Sequence, residues 1–201
     1  MSDLYEWIYE RVEAGENLTR PQLTALAVAL GDEQQFWAHL VHHDPSTRYF
    51  HQLYRDLNVD VWLICWLDAQ DTGYHDHDLS SGAVHVVEGS LCEDYFHRDA
   101  KGWIQVRTRE RPAGDVFDFD GSSIHGMRHA GGAPATSIHV YSPALWRMGY
   151  YEPGEGGVRR ASITYADELA EGGTLPPEVQ RRADEGADVV AVGVGVGRVG
   201  T

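Results

Sequence analysis
A chain of 201 residues with Lys+Arg 16 against Asp+Glu 31 carries a formal charge of −15, and such a surface repels nucleic acid and anionic membranes. The length suffices for one domain with a sizeable core, and no apolar run approaches the ~18–20 residues of a membrane span. Two cysteines, Cys65 and Cys92, make no disulfide framework, and the charged N-terminus shows no signal-peptide pattern, so the expected location is the cytoplasm.

Residues 2–14 read as an amphipathic helix with Leu4, Trp7, Ile8 and Val12 on one face. Thr19 is placed to cap a second helix, with Pro21 in its first turn and Gly31 closing it. Asp32 is placed to cap a third, with Phe36, Trp37, Leu40 and Val41 inward, and Asp44-Pro45 ends it. These helices are expected to form a cover, residues 1–45, over one end of a β domain.

From Arg48 the apolar period changes to 2. Runs at 48–54, 60–67, 82–88, 91–97, 102–109, 114–119, 125–129, 136–141 and 146–151 are short and rich in Val, Ile, Tyr and Trp. Turn signals such as Glu88-Gly89 and Pro112-Ala-Gly114 separate them. Many short strands at this spacing predict a β-sandwich or barrel over 46–165. Beyond about Tyr165 the pattern decays into Glu171-Gly-Gly, Pro176-Pro177 and a Val-Gly run, which predicts a partly disordered tail over 166–201 with a short helix near 177–184 at most.

The chemistry concentrates in Gly73–Phe96. His75 and His77 are two apart, so on a strand they share a face while Asp76 and Asp78 point the other way. Two imidazoles so placed can reach one metal ion, and His125 in Asp120-Gly-Ser-Ser-Ile-His-Gly is the best candidate for a third ligand. Three histidines do not name the metal, since neutral imidazole suits Fe(II), Zn(II), Ni(II) and Cu(II) alike. The remaining histidines read mostly as bystanders: His39, His42 and His43 at a helix end, His85 and His97 on strands without ligand spacing. His129, four residues after His125, stands within reach of supporting a ligand. Trp62 and Trp103 read as core, Cys92 as a buried small hydrophobe.

The order Gly73, His-x-His, a glycine near residue 89 and a lone histidine about fifty residues on resembles the two-motif pattern of the cupins. A typical cupin carries a Glu four or five residues after the second histidine, where this chain has Ser81 and Gly82. With the Glu absent, and with Trp66 upstream and Ser137-Ile-His-Val-Tyr-Ser-Pro143 downstream, the chain resembles the thiol dioxygenases, the cysteine dioxygenase branch of the cupins. The resemblance covers roughly residues 45–145. It implies a mainly β fold, the double-stranded β-helix or jelly-roll barrel, with the N-terminal helices packed on it.

It also implies Fe(II) held by His75, His77 and His125, and a small-molecule thiol and O2 as reactants, with sulfinate as product. It implies a catalytic relay from Ser137 through His139 to Tyr141, and a cis Ser142-Pro143 bond. Some relatives crosslink a cysteine to this tyrosine; Gly82 stands there, so no thioether is expected. Cysteine-specific members grip the carboxylate with an arginine at the start of the strand before the metal motif. Counting back from Trp66 without gaps reaches Tyr49 or Phe50, and Arg48 lies just before. By alternation Arg48, Phe50, Gln52 and Tyr54 share a face, so Arg48, Phe50 and Trp66 are the expected substrate contacts. Without an arginine clamp, an aromatic pocket suits a bulkier or cationic thiol such as ergothioneine. Alternatives of another class are a Zn or Ni cupin isomerase or hydrolase, or a metal-binding cupin without activity. The expected assembly is a monomer or small homo-oligomer.

Overall fold
A computed structural model of the chain describes residues 2–12, 15–98, 104–154 and 157–165. The expectations for Trp103 and for 166–201, with the helix at 177–184, lie outside these residues.

Two helices lead the chain, α1 at Ser2–Tyr9 and α2 at Arg20–Asp32. At the start of α2 the Thr19 backbone N–H and hydroxyl both donate to Gln22 Oε1, at 2.8 and 2.6 Å, which satisfies a donor the helix itself cannot. Gly31 does not close α2. It lies inside the last turn, against a strand, and a Cβ there would stand 2.3 Å from His85 Nδ1. Its lack of a side chain lets the helix close on the sheet, where His85 Nδ1 meets the Ala27 carbonyl at 3.2 Å. The third helix is not formed: two single 3₁₀ turns, Gln34–Phe36 and Ala38–Leu40, replace it, and Asp32 caps neither. Of the residues expected inward there, Trp37 is fully buried, its indole N–H donating to the Leu30 carbonyl at 3.0 Å.

Strands β1 to β11 follow at Tyr49–Arg55, Asp60–Trp66, Asp71–Asp76, Ser81–Glu88, Ser90–Arg98, Ile104–Pro112, Val116–Phe119, His125–His129, Ala135–Ser142, Arg147–Gly154 and Gly157–Tyr165. They form two sheets in the orders β1-β2-β9-β4-β7 and β11-β10-β3-β8-β5-β6. Every pairing is antiparallel. This is the mainly β double-stranded β-helix architecture, and among the described residues no ladder joins the two sheets into a closed barrel. Strand β11 was not anticipated as an element; it extends the second sheet along β10.

Alternation sorts the side chains of the first sheet into two cores. Val61, Leu63 and Cys65 of β2, with Ile138 and Val140 of β9, face α1 and α2 and pack with Ile8, Leu23, Ala27 and Leu30. Each such fully buried aliphatic side chain contributes about 1.5–3 kcal/mol. The helices therefore cover the outer face of this sheet rather than an end of the barrel. Trp62 and Trp66 of β2 and Tyr141 of β9 face the other way, into a second core with Val84, Phe117, Phe119 and Met127. The polar residues of the candidate site stand in this inner layer.

Strand β1 breaks its own alternation. The pairing with β2 shifts between Gln52 and Tyr54, so Tyr54 joins Leu53 on the helix side instead of sharing the face of Arg48, Phe50 and Gln52. An extra residue in one strand does this wherever it is inserted. Cys92 is half-buried, not buried, and Cys65 is buried; both are free thiols.

Candidate active site
Strand β3 delivers His75, and the chain just past its end delivers His77, whose N–H donates to the Gly121 carbonyl at 2.9 Å. Strand β8 begins at His125 and pairs it directly with His75. All three histidines are at least 97% buried, at 3, 1 and 3% exposure, and their candidate ligand atoms lie within 4.8 Å of one another. Asp76 and Asp78 turn away as alternation requires. Asp76 accepts from Gly149 N–H at 3.1 Å, from Arg160 and from the Tyr151 hydroxyl, while Asp78 takes a two-pronged contact from Arg147 at 2.8 and 3.0 Å.

This histidine set fits a metal ion. Both ring nitrogens of His77 are buried without a hydrogen-bond partner, and the one that carries no hydrogen is costly to bury unless something else takes its lone pair. Burial, reinforced by the neighbouring imidazoles, pushes His75 and His77 well below the usual histidine range, so both are neutral and able to ligate. His75 Nδ1 faces the Gly73 carbonyl at 3.2 Å, and His125 Nδ1 faces Glu93 Oε1 at 3.1 Å. In each case the other nitrogen is left for a ligand. Burial would raise Glu93, but hydrogen bonds from His125 and Arg111 outweigh it and hold the carboxyl below its ordinary value. Glu93 and Arg111 escaped the sequence reading, because nothing local to β5 or β6 marks them.

Phe119 fills the side of the site where a typical cupin has its carboxylate. Its ring stacks on His77 with centroids 4.6 Å apart and lies 4.5 Å from that of His125. Gly82 pairs with Tyr141 across β4 and β9, and a Cβ on it would meet Phe119 Cζ at 2.4 Å. A cysteine there, and hence a thioether to Tyr141, has no room while Phe119 keeps its position.

Ser137, His139 and Tyr141 line up along β9, and Trp66 extends the row by one member. Trp66 Nε1 lies 2.9 Å from Ser137 Oγ, Ser137 Oγ 2.9 Å from His139 Nε2, and His139 Nδ1 3.1 Å from the Tyr141 hydroxyl. The indole can only donate, so Ser137 accepts from it. Among the described residues the only acceptor for the Ser137 hydrogen is His139 Nε2. Nδ1 then carries the hydrogen and donates to Tyr141, whose own O–H is free to point elsewhere. Burial drives His139 down to about 3, with the charges of His125 and Arg48 adding to it, so this neutral tautomer holds at physiological pH. Burial likewise raises the Tyr141 phenol, which keeps its proton. Trp66 thus stands behind the relay and is fully buried; it is not on the wall of the pocket.

That pocket encloses about 620 Å³ of empty space, part of it open to solvent, and its walls include His75, His125, His139 and Tyr141. Phe50, Trp62, Ile64, Met127, Leu145 and Met148 give it an apolar lining, and Tyr150 and Arg48 complete it. Arg48 points inward. One Nη donates to the Asp71 carbonyl, the guanidinium stands 5.1 Å over the Trp66 ring, and Nε is buried without a partner. No carboxylate lines the pocket among the described residues. His129 does not support the histidine cluster: it bridges Asp68 Oδ1 at 2.8 Å and the Ala133 carbonyl at 2.9 Å. The Ser142–Pro143 bond is cis.

The family model for cysteine dioxygenase type I matches residues 8–153. Human cysteine dioxygenase type 1 is 23% identical over 165 residues, covering 79% of this chain and 82% of that protein. The rat enzyme of the same name is also 23% identical, over 172 residues, covering 82% of this chain and 85% of its own. Among solved structures, a double-stranded β-helix protein from Klebsiella pneumoniae is 17% identical with a TM-score of 0.43, over 53% of this chain and 86% of that one. A cupin from Desulfitobacterium hafniense is 11% identical with a TM-score of 0.44, over 53% and 87%. With the family match spanning most of the chain, from α1 through β10, the chain belongs to the cysteine dioxygenase type I family.

Proposed function
We propose that this chain is a non-haem iron dioxygenase that converts a small thiol carboxylate, RSH, and O2 into the sulfinic acid RSO2H, with both oxygen atoms on sulfur and no external reductant. The observation that carries this reading is one pocket shared by the histidine cluster, the Tyr141 relay and an inward-facing arginine. Iron bound by His75, His77 and His125 would supply the centre at which thiolate and dioxygen meet.

The protein's own groups do the rest. Arg48 offers an unpartnered buried N–H, and a planar guanidinium suits a carboxylate better than any other anion-binding side chain does. Gripping that carboxylate fixes the distance from substrate sulfur to the histidine cluster and removes orientational freedom before reaction. The relay turns the Tyr141 O–H toward the reacting atoms, where one positioned donor is commonly worth ~10²–10³ in rate. Apolar walls from Phe50, Ile64 and Leu145 keep water from competing for the site.

The same pocket disfavours a thiol whose only charge is positive, such as cysteamine. Its aromatic walls suit a cation, yet the charged group facing it is a cation too, and no carboxylate opposes it. The test is sulfinate formation from 3-mercaptopropionate, cysteine, cysteamine and ergothioneine under Fe(II) and air, with wild type and Arg48→Ala. The expected result is turnover of a carboxylate-bearing thiol, with kcat/KM falling at least ~10²-fold in the variant, about 3 kcal/mol of transition-state binding. Preference for cysteamine, or for ergothioneine with a silent Arg48→Ala, refutes the small thiol carboxylate gripped by Arg48. Absence of any sulfinate from the whole panel refutes the dioxygenase.

A further inference from the structure
Three neutral imidazoles would hold a dication with no compensating charge among them, since Ser81 and Gly82 stand where a typical cupin carries its carboxylate. The three are not backed alike. His75 Nδ1 faces only a backbone carbonyl, and both nitrogens of His77 lack a partner. Only His125 faces a carboxylate, Glu93, at 3.1 Å.

Glu93 is held for this contact by two hydrogen bonds from one buried side chain. Its Oε2 accepts from Arg111 Nε at 3.0 Å and Nη2 at 2.5 Å, which leaves Oε1 for His125. Arg111 is held in turn by Asp115 at 3.0 Å and lies 4.0 Å over the Phe117 ring. Glu93 and Arg111 are 6 and 7% exposed, so neither has a loose rotamer to adopt. A salt bridge serving the fold alone would need Arg111 and Glu93, but not an imidazole on the second oxygen. Glu93 does not line the pocket of Arg48 and Tyr141; with Arg111 and Phe119 it lines a separate cleft that His125 also borders. It therefore acts through His125 and not on substrate.

Resting on the reading that His75, His77 and His125 hold the metal, we propose that Glu93, clamped by Arg111, is a positioning residue that supplies through His125 the negative charge missing from the ligand set. A carboxylate on the far nitrogen fixes the tautomer and ring orientation of a ligating histidine and strengthens its donor atom. His125 is then the strongest donor of the three, and the charge that other cupins place directly on the metal sits here one bond network away.

The test compares wild type with Glu93→Gln and with the double variant Glu93→Gln/Arg111→Met. The double variant leaves no buried cation without its partner, and Met packs on Phe117, so it keeps the question open to experiment where the single variant fails to fold. The measurements are Co(II) and Fe(II) affinity by chelator competition, the visible d–d spectrum of the Co(II) protein, and thermal unfolding of the metal-free proteins. The expected result is metal held ~10–100-fold more weakly, with shifted d–d bands, in a variant whose metal-free form unfolds cooperatively. A folded variant with affinity within about twofold of wild type and an unchanged Co(II) spectrum overturns the role of Glu93 alone, because loss of a merely structural salt bridge moves only the unfolding temperature. Failure of the wild type itself to bind one Co(II) per chain overturns the metal centre, and the role of Glu93 with it.

Discussion
Removing the Ser137 hydroxyl tests the relay at its midpoint. Ser137 Oγ accepts from Trp66 Nε1 and donates to His139 Nε2, each at 2.9 Å, and the three residues are 0, 0 and 4% exposed. Ser137→Ala leaves both nitrogens buried and unpaired. Each orphan costs about 1–3 kcal/mol, so the variant should lose roughly 2–6 kcal/mol, or about 4–24 °C in Tm for a domain of this size. The freed imidazole no longer has a fixed tautomer, so the Tyr141 hydroxyl loses its fixed direction and turnover falls as well, by up to ~10². A double-mutant cycle isolates the contact. In a Trp66→Phe background the indole is already gone, so Ser137→Ala orphans only His139 and its cost should drop by about half. Urea denaturation of the metal-free proteins, with kcat/KM for 3-mercaptopropionate on the iron-loaded ones, measures both. Additive stability changes, within ~0.3 kcal/mol, together with undiminished turnover, would refute the relay as described.

His77→Ala should abolish stoichiometric iron binding, because two histidines leave a weak, exchangeable site; iron per chain by elemental analysis checks this, and full loading sinks the assignment. The metal-free protein should lose stability as pH falls. His139, at about 3 in the folded state against ~6.5 unfolded, binds fewer protons folded than unfolded between those values. Its stabilisation is therefore whole above ~6.5 and is lost at about 1.4 kcal/mol per pH unit below it, and His75 and His77 act in the same direction. Urea midpoints that do not fall between pH 7 and pH 5 contradict this. Gly82→Ala should destabilise by about 1–3 kcal/mol through overpacking on Phe119, and Phe119→Leu should recover part of the loss; a neutral Gly82→Ala would mean that Phe119 yields freely.

Period-2 alternation made most of the site readable. On β9 it put Ser137, His139 and Tyr141 on one face, and the ladder with β2 then brings Trp66 behind Ser137. On β3 it separated His75 from Asp76, and the structure keeps them on opposite sides. What alternation cannot supply is the partner across a ladder. Glu93 opposes Met127 on β8, two residues from His125, and Arg111 reaches it from β6; these separations in sequence carry no periodic signal. The third helix failed for a different reason. Its apolar spacing suited a helix, but burying Trp37 against Leu30 forces the chain to turn back just after α2, and two 3₁₀ turns make that reversal tighter than an α-helix can.

Arg48 is where reading and fold come closest to parting. Counted along β1, the face of Arg48, Phe50 and Gln52 was carried on to Tyr54, yet the register shift after Gln52 sends Tyr54 to the helix side. A shift four residues earlier, between Arg48 and Phe50, would have turned Arg48 out of the pocket relative to Phe50, since one inserted residue exchanges the two faces of a strand. The bulge lies beyond Phe50, so Arg48 and Phe50 both line the pocket, and the β1–β2 ladder pairs Tyr49 and Phe50 with Cys65 and Ile64 without interruption. The position of one unpaired residue in β1 thus decides whether this pocket presents a cation to its substrate.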